Sequence, residues 1–267
     1  MKVFVIDLEA CNGCYGCQLA CKDEHCGNDW TPYAKPQPDT GQFWMKVHET
    51  THGQVPKVKL EYLPQGCMHC DQAPCIEAGE GAVYKRADGL VVIDPEKAKG
   101  KKGLVEACPY HAIYWNEELE IAQKCTGCAH LVDEGKTPHC VDLCAVGALR
   151  FGEEEEFAAE LANAEVLRPE LGTKPRFYYL NRPGLFIAGD VWDPAADEII
   201  EGATVTLKDA GGKEQTTQSD DFGDFWFRKL TPGQYTVTVA AAGFAAQSKE
   251  VMLEKSLNIG DFALVKA

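Results

Sequence analysis

The chain of 267 residues lacks a long apolar run. Residues 1–7 read MKVFVID, so an acid interrupts the first apolar run after four residues. A signal peptide needs an apolar core of about 7–15 residues, and a membrane-spanning helix needs about 20. The sequence therefore predicts a cytoplasmic protein without a membrane span, although a signal-bearing partner could export both chains together.

Basic residues are also in short supply, because 26 Lys and Arg stand against 41 Asp and Glu, for a formal net charge of −15. A protein that binds nucleic acid or anionic lipid needs a basic face to meet the phosphates. The charge balance excludes both classes of partner. The hydrophobic share of 45% is that of a globular protein with a proper core.

Cysteine is absent from residues 145–267, and all 13 cysteines lie in residues 1–144. A disulfide scaffold would be smaller, denser in cysteine and secreted. The odd count leaves at least one thiol outside any complete pairing. Thiols in a reducing cytoplasm stay free or bind metal, so the uneven distribution predicts metal binding in the first half of the chain.

The cysteines form three groups whose spacing is typical of iron–sulfur proteins. The first, Cys11-x2-Cys14-x2-Cys17-x3-Cys21, is the run of bacterial ferredoxins, in which three thiolates bind one [4Fe–4S] cluster and the fourth binds the other. The remaining two groups are Cys67-x2-Cys70-x4-Cys75 with a later Cys108-Pro109, and Cys125-x2-Cys128-x11-Cys140-x3-Cys144. Twelve cysteines predict three [4Fe–4S] clusters and leave Cys26 as a free thiol.

The ferredoxin exchange rule, in which the last thiolate of a group serves a neighbouring cluster, turns these groups into three ligand sets. Set 1 is Cys11, Cys14, Cys17 and Cys144; set 2 is Cys21, Cys125, Cys128 and Cys140; set 3 is Cys67, Cys70, Cys75 and Cys108. Five histidines near these ligands are expected to donate hydrogen bonds rather than to bind iron: His25, His69, His111, His130 and His139.

Structural zinc is the alternative for these cysteines, because Cys-x2-Cys pairs also bind Zn²⁺ tetrahedrally. Zinc sites, however, rarely show the x2-x2-x3 run and need no Cys-Pro partner. The spacing therefore favours iron–sulfur clusters over zinc.

The composition and apolar periodicity along the sequence predict three segments and an α+β fold. Residues 1–150 combine short strands and helices with the cysteines, which indicates a ferredoxin-like domain. Residues 151–183 read as an acidic-started helix and then an extended connector broken by proline and glycine. Residues 184–267 alternate apolar and polar positions between turn signals, which predicts a seven-stranded β-sandwich or barrel.

The cysteine groups resemble those of the four-cluster iron–sulfur subunits of molybdopterin oxidoreductases. Those subunits have four further cysteines where this chain has Gly79, Ala98, Lys101 and Leu104. Because all four expected ligands of one cluster are missing together, the resemblance implies that one complete cluster is lost and three are retained.

Further segments resemble the small subunits of pyrogallol–phloroglucinol transhydroxylases, to which resorcinol hydroxylases and reductive catechol dehydroxylases are related. These segments are Cys21–His25, Asn28–Trp30, Gly81–Tyr84, Ile93–Lys97, Tyr114–Glu118, Gln123–Leu131 and Pro169–Arg176. The resemblance implies a C-terminal domain like the B repeats of collagen-binding surface proteins (Cna B-like). It also implies a large catalytic partner holding molybdenum with molybdopterin guanine dinucleotide, where a polyhydroxylated aromatic substrate binds.

No Ser–His–Asp set, P-loop or Rossmann glycine pattern is apparent, so the sequence predicts no catalytic site in this chain. The expected role is one-electron transfer for the molybdenum partner in a heterodimer or a higher assembly. Two alternatives stay open at this point. One is the same module serving a respiratory oxyanion reductase, and the other is a zinc-binding structural or adhesion protein.

Overall fold

The computed structural model describes residues 1–267 and divides into two compact units. The first unit comprises Met1–Glu49 and Tyr62–Arg182, and the second comprises Thr50–Glu61 and Pro183–Ala267. Residues 151–182 thus lie in the first unit, and a short insertion from the first half of the chain lies in the second. No helix in either unit is long and apolar enough to cross a membrane.

The first unit is built from short elements. Its strands, including a hairpin that extends into the second unit, are β1 (Lys2–Asp7), β2 (Lys46–Gln54), β3 (Lys57–Gln65), β4 (Val83–Lys85), β5 (Val91–Ile93), β6 (Tyr114–Asn116), β7 (Ile121–Gln123), β8 (Leu149–Glu153) and β9 (Phe177–Leu180). Its helices are α1 (Gly16–His25), α2 (Pro74–Ala78), α3 (Ala129–Asp133), α4 (His139–Asp142) and α5 (Ala158–Leu161).

The central sheet of this unit has the order β8-β1-β9, with β1 antiparallel to β8 and parallel to β9. The middle position suits β1, because Val3–Ile6 are buried on both faces. Phe4 and Ile6 pack into the cysteine-rich core, and Val3 and Val5 pack on the opposite side. The sequence places Phe177–Leu180 in an extended connector, whereas the structure makes it a strand, because its aromatic side chains have a core to enter.

The first unit contains two short hairpins. β4 pairs with β5 around Asp88-Gly89, where Gly89 has a φ of +96°, and β6 pairs with β7. The side chain of Asn116 closes the second turn by accepting hydrogen bonds from the N–H groups of Glu118 and Leu119 at 3.1 and 3.0 Å. Both turns are set by local residues and are therefore predictable from the sequence.

The helices are shorter than the sequence suggests. The acidic segment expected to be one helix over 153–165 is a 3-10 turn, Glu154–Phe157, followed by the four-residue α5. A capping box marks its start, where the Glu156 carboxylate accepts a hydrogen bond from the Glu153 N–H at 3.0 Å. A second 3-10 turn, Lys102–Leu104, precedes Cys108.

The second unit is a β-sandwich, and it has eight strands of its own rather than the seven expected. They are β10 (Leu185–Asp193), β11 (Glu198–Ile199), β12 (Thr204–Asp209), β13 (Glu214–Gln218), β14 (Asp224–Leu230), β15 (Gly233–Ala240), β16 (Gln247–Leu253) and β17 (Leu257–Ala263). The additional strand is β11, which has only two exposed residues and therefore shows no apolar alternation.

Two sheets enclose the core of this unit. In one sheet β10 pairs with β11, β14 and β17, and the other has the order β13-β12-β15-β16. Alternate residues of the strands point inward, as Val205 and Leu207 do from β12 and Val237 and Val239 from β15. The inner faces meet in one apolar core, as the period of two predicts.

Candidate metal centres

The four thiols of set 3 meet at one cavity. Cys67 and Cys70 lie in the loop after β3, and Cys75 lies on α2. Cys108 follows the 3-10 turn Lys102–Leu104. All four line a cavity with about 330 Å³ of empty space, together with apolar side chains such as Ile113. Burial, followed by the neighbouring thiols of the set, raises the pKa of Cys70 to about 12. The structure thus brings together the four residues that the sequence groups.

Set 1 lines a second cavity, with about 380 Å³ of empty space. Cys11 and Cys14 precede α1, Cys17 is the second residue of α1, and Cys144 follows α4. The loop depends on Gly13, which has a φ of +68° and whose Cβ would lie 2.5 Å from the ring of Tyr62. Cys14 is exposed, so this set reaches the surface of the unit.

Set 2 is fully buried. Cys21 and Cys140 come from α1 and α4, which contact each other, and Cys125 and Cys128 come from the loop after β7. Burial, followed by the charges of Cys125 and Cys128, raises the pKa of Cys21 well above its ordinary value. The pKa of Cys140 is raised in the same way by burial, Cys128 and Cys21. Cys21, Cys125 and Cys140 share one buried core cluster, and Cys128 lies in the same loop as Cys125.

Backbone N–H groups point at the thiols of all three sets. Four of them donate hydrogen bonds to sulfur at N···S distances of 3.3–3.5 Å: His69 to Cys67, Ala112 to Cys108, Gly127 to Cys125, and Leu149 to Cys144. Such bonds stabilise a thiolate and raise the potential of an iron–sulfur cluster that it binds. The loops are therefore arranged to hold negative charge on sulfur.

Two of the five histidines near the cysteines reach sulfur with their rings. His69 Nδ1 accepts a hydrogen bond from the Val91 N–H at 3.0 Å, so its proton lies on Nε2, which is 3.8 Å from Cys125 Sγ. His25 Nε2 lies 3.8 Å from Cys128 Sγ, and burial lowers the pKa of this histidine to about 3. Both side chains are neutral beside set 2, and His69 is a hydrogen-bond donor there, as expected from the sequence.

The expectation is wrong for the other three histidines. His130 Nε2 and His139 Nδ1 each lie 2.8 Å from a carboxylate oxygen of Glu24 instead of facing sulfur. His111 is exposed. The reason lies in α1, which places Glu24 next to His25 and supplies a competing acceptor that the spacing of the cysteines does not reveal.

Lys124 is a buried cation between sets 2 and 3 that the cysteine motifs do not mark as functional. Its side chain lines the set 3 cavity, and its ammonium donates hydrogen bonds to the carbonyls of Val91 and Cys125. Burial alone would lower the pKa of Lys124, but the surrounding thiols, with Cys67 and Cys75 foremost, raise it. The only sequence signal is a lysine at the end of a wholly buried strand, β7.

Apolar packing surrounds Gly79, Ala98 and Leu104, three of the positions where the resemblance implies the ligands of a fourth, lost cluster. Ala98 and Leu104 are buried in a core cluster with Val83, and a Cβ on Gly79 would lie 2.6 Å from the side chain of Val83. Lys101 pairs with Glu80 at 2.8 Å on the surface. The thiol of Cys26, which belongs to none of the three sets, donates a hydrogen bond to Asp39 Oδ1 at 3.2 Å.

The thiol sets fit a cluster of several atoms better than a single ion. Sets 1 and 3 each place four thiols on the wall of one cavity. Soft thiolate donors suit iron–sulfur clusters. Burial raises the pKa of at least one thiol in each set, among them Cys17, Cys70 and Cys140, and bound positive charge would favour their thiolate forms.

Comparison with protein families agrees with the two units. A family model described as a 4Fe-4S dicluster domain matches residues 58–154, and a second, described as a carboxypeptidase regulatory-like domain, matches residues 187–265. The first half is therefore an iron–sulfur domain that binds [4Fe–4S] clusters, and the last third is a separate β-domain. The α+β expectation holds in this coarser form, with strands more abundant than helices.

Three relatives carry the comparison further. The pyrogallol hydroxytransferase small subunit of Pelobacter acidigallici is 40% identical, over 96% of this chain and 96% of its own length. A tetrathionate reductase subunit of Salmonella typhimurium is 33% identical over 68% of this chain and 73% of its own length. The arsenate respiratory reductase iron-sulfur subunit ArrB of a Shewanella species is 30% identical over 68% of this chain and 96% of its own length. The chain therefore belongs to the family of iron–sulfur subunits of oxidoreductase complexes that includes the pyrogallol hydroxytransferase small subunit.

Proposed function

We propose that the chain holds three [4Fe–4S] clusters, one in each thiol set, and transfers electrons for a large molybdenum-containing catalytic subunit. The observation that carries this proposal is the division of twelve thiols into three neighbouring sets of four, while Cys26 stays apart. The matches to a 4Fe-4S dicluster family and to iron–sulfur subunits support iron over the zinc alternative.

The bound clusters would supply one-electron acceptors, and the residues of the chain would set their surroundings. Burial of sets 2 and 3 keeps water from the sulfur atoms, and the N–H groups directed at sulfur offset the negative charge of a reduced cluster. The net charge of −15 acts in the opposite direction, because adding an electron to an acidic protein is unfavourable.

The sets are linked in the order 1, 2, 3. Cys17 of set 1 and Cys21 of set 2 are one turn apart on α1. Cys125 of set 2 lies beside Cys67 of set 3, whose thiol contributes to the raised pKa of Cys125. An electron can therefore pass between neighbouring sets without leaving the first unit.

Set 1 is the proposed contact with the catalytic partner, because Cys14 alone among the twelve thiols is exposed. Exposed apolar side chains flank this set: Leu19 on α1 is 62% exposed, and Leu143 and Val146 beside Cys144 are 49% and 44% exposed. We expect Leu143→Asp to abolish co-purification of the two subunits. Val265→Asp, at an apolar position of the second unit that is 63% exposed, is the control, and unimpaired assembly of the Leu143→Asp complex would refute this contact.

The proposed partner holds molybdenum with molybdopterin guanine dinucleotide and acts on polyhydroxylated aromatic compounds. Support comes from the pyrogallol hydroxytransferase small subunit, which matches both units. A transhydroxylation consumes no net electrons, so the clusters would then prime or reset the partner. In a dehydroxylation they would supply the electrons.

A respiratory oxyanion reductase is the second candidate function, since the tetrathionate and arsenate reductase subunits are also similar. Each of those relatives covers only 68% of this chain, whereas the hydroxytransferase subunit covers 96%. The full-length match favours an aromatic substrate over an oxyanion.

Assay of the purified complex separates the two functions. We expect it to convert pyrogallol or a dihydroxybenzene under anaerobic conditions, and to show no turnover of tetrathionate or arsenate with a reduced dye. The opposite pattern would establish the oxyanion reductase and refute the aromatic substrate.

The second unit is proposed to be of the Cna B-like type and to stabilise the assembled complex. Its two packed sheets and its match to the carboxypeptidase regulatory-like family support an immunoglobulin-like β-domain. A crystal structure of the complex in which the strand order of the second unit departs from that of B repeats would refute this assignment.

A further inference from the structure

Lys124 combines deep burial with positive charge and has no carboxylate partner. Its relative exposure is 2%, and it takes part in none of the salt bridges of the chain. Its ammonium donates hydrogen bonds to the Val91 carbonyl and, at 3.0 Å, to the Cys125 carbonyl, and its side chain lines the cavity formed by the thiols of set 3. The groups around it that can carry negative charge are therefore thiols.

A buried ammonium is unfavourable unless an opposite charge compensates it. The side chain of Lys124 lines the set 3 cavity together with Cys67 and Cys75, and Lys124 directly precedes Cys125 of set 2 in the chain. It does not line the set 1 cavity. The positive charge is thus placed asymmetrically along the order 1, 2, 3, at the end farthest from the exposed Cys14.

We propose that Lys124 raises the reduction potential of the cluster held by set 3 above those of the other two, so that this cluster accepts an electron first. The proposal rests on the function proposed above, because it requires clusters in the sets. Reduction adds one negative charge to a cluster, and a fixed cation in a medium of low dielectric constant stabilises that charge. The effect falls with distance, so set 2 feels it less and set 1 least.

Lys85 provides a matched control at the same loop. Its ammonium donates hydrogen bonds to the carbonyls of His69 at 3.1 Å and Cys70 at 3.0 Å, so it also braces set 3. Unlike Lys124, it pairs with a carboxylate, that of Asp71 at 3.0 Å. Removing Lys85 also removes one positive charge, but that charge is partly exposed and therefore screened by solvent, so the variant tests mainly the loss of loop contacts.

The test is a potentiometric titration of the anaerobically purified complex, followed by electron paramagnetic resonance (EPR). The set 3 signal is the one that Cys108→Ser alters. In Lys124→Gln we expect the equilibrium constant for reduction of this cluster to fall at least tenfold, which is about 59 mV for one electron. The set 2 cluster should shift less, and the set 1 cluster should not shift. Lys124→Arg and Lys85→Gln should each stay within threefold of the unaltered protein.

Several results would overturn the proposal. They are an unchanged set 3 potential in Lys124→Gln, an equal shift of all three clusters, and a shift in Lys124→Arg as large as in Lys124→Gln. Loss of the set 3 cluster from both Lys124 variants would also overturn it, because the side chain would then serve assembly. Iron and acid-labile sulfide in the unaltered complex test the proposed function separately, since their absence would refute the clusters themselves.

Discussion

The cores of the two units of this chain differ in side-chain composition. In the first unit the largest core cluster includes Cys21, Cys67, Cys70, Cys125 and Cys140 among its buried residues, and most strands are three to six residues long. In the second unit the core contains only aliphatic and aromatic side chains, from strands of up to nine residues.

This difference separates two sources of stability. Burial of apolar surface stabilises the second unit at about 25 cal/mol per Å², whether or not metal is present. Thiols gathered around open cavities offer little of that gain, because each cavity leaves its lining without packing partners. The first unit must therefore obtain much of its stability from bound clusters, as small metal-binding domains do.

Removal of iron should have the largest effect and should be confined to the first unit. Treating the purified complex with a chelator and a mild oxidant is expected to abolish hydrogen-exchange protection in β1 and β8. Removal of the clusters takes away the bound iron that stabilises the thiol sets and, with them, the first unit. Protection in β12 and β15 should be unchanged. Mass spectrometry of peptides from both units measures this, and equal loss in the two units would refute the separation.

Within the first unit, Cys108→Ser should disturb one cluster of three. Only the signal of set 3 is expected to change, because Cys108 shares its cavity with Cys67, Cys70 and Cys75. EPR of the reduced complex checks this, with Cys26→Ser as the control that leaves all signals unaltered. Altered signals from sets 1 or 2 with set 3 intact would show that the exchange rule assigns the ligands wrongly.

In the second unit, Phe262→Ala should destabilise the sandwich by about 3–5 kcal/mol, because the ring is fully buried and its loss leaves a cavity. Phe222→Ala is the control, since that ring is 72% exposed, and it should change stability by less than about 0.5 kcal/mol. Chemical denaturation followed by fluorescence measures both. Changed cluster signals in Phe262→Ala would contradict the independence of the two cores.

The smallest effect is expected from Lys57→Met in the segment Thr50–Glu61. The buried ammonium lies 2.7 Å from Asp190 and also contacts Asp224, so its loss leaves two carboxylates unpaired and should cost about 2 kcal/mol. Lys59→Met, two residues further along the same strand, should be nearly neutral. Equal midpoints in a denaturation series for the two variants would show that the ion pair contributes nothing.

Much of the second unit is predictable because its signals are local. Alternation at period two and turn residues identify the strands, and only the two-residue β11 escapes. The first unit is less predictable. Phe177–Leu180 pairs with β1, more than 170 residues earlier, which no local pattern reveals. In the β2–β3 hairpin, β2 is largely polar and lacks the usual alternation, whereas β3 alternates at Val58, Leu60 and Tyr62.

The candidate sites also have a part that is predictable from the sequence and a part that is not. Cysteine spacing is enough to group the twelve thiols, because short loops fix which sulfur atoms can meet. The surroundings of the sulfur atoms depend on long-range packing. His130 and His139 face Glu24, and Lys124 lies between two sets, because helices and strands from distant parts of the chain converge there.

The most direct test of the three-cluster proposal is native mass spectrometry of the anaerobic complex, with release of this subunit in the gas phase. The released chain should exceed its sequence mass by three [4Fe–4S] units, and Cys108→Ser should reduce that excess by one cluster at most. An excess of two clusters in the unaltered chain, or one that corresponds to zinc without sulfide, would contradict the proposal.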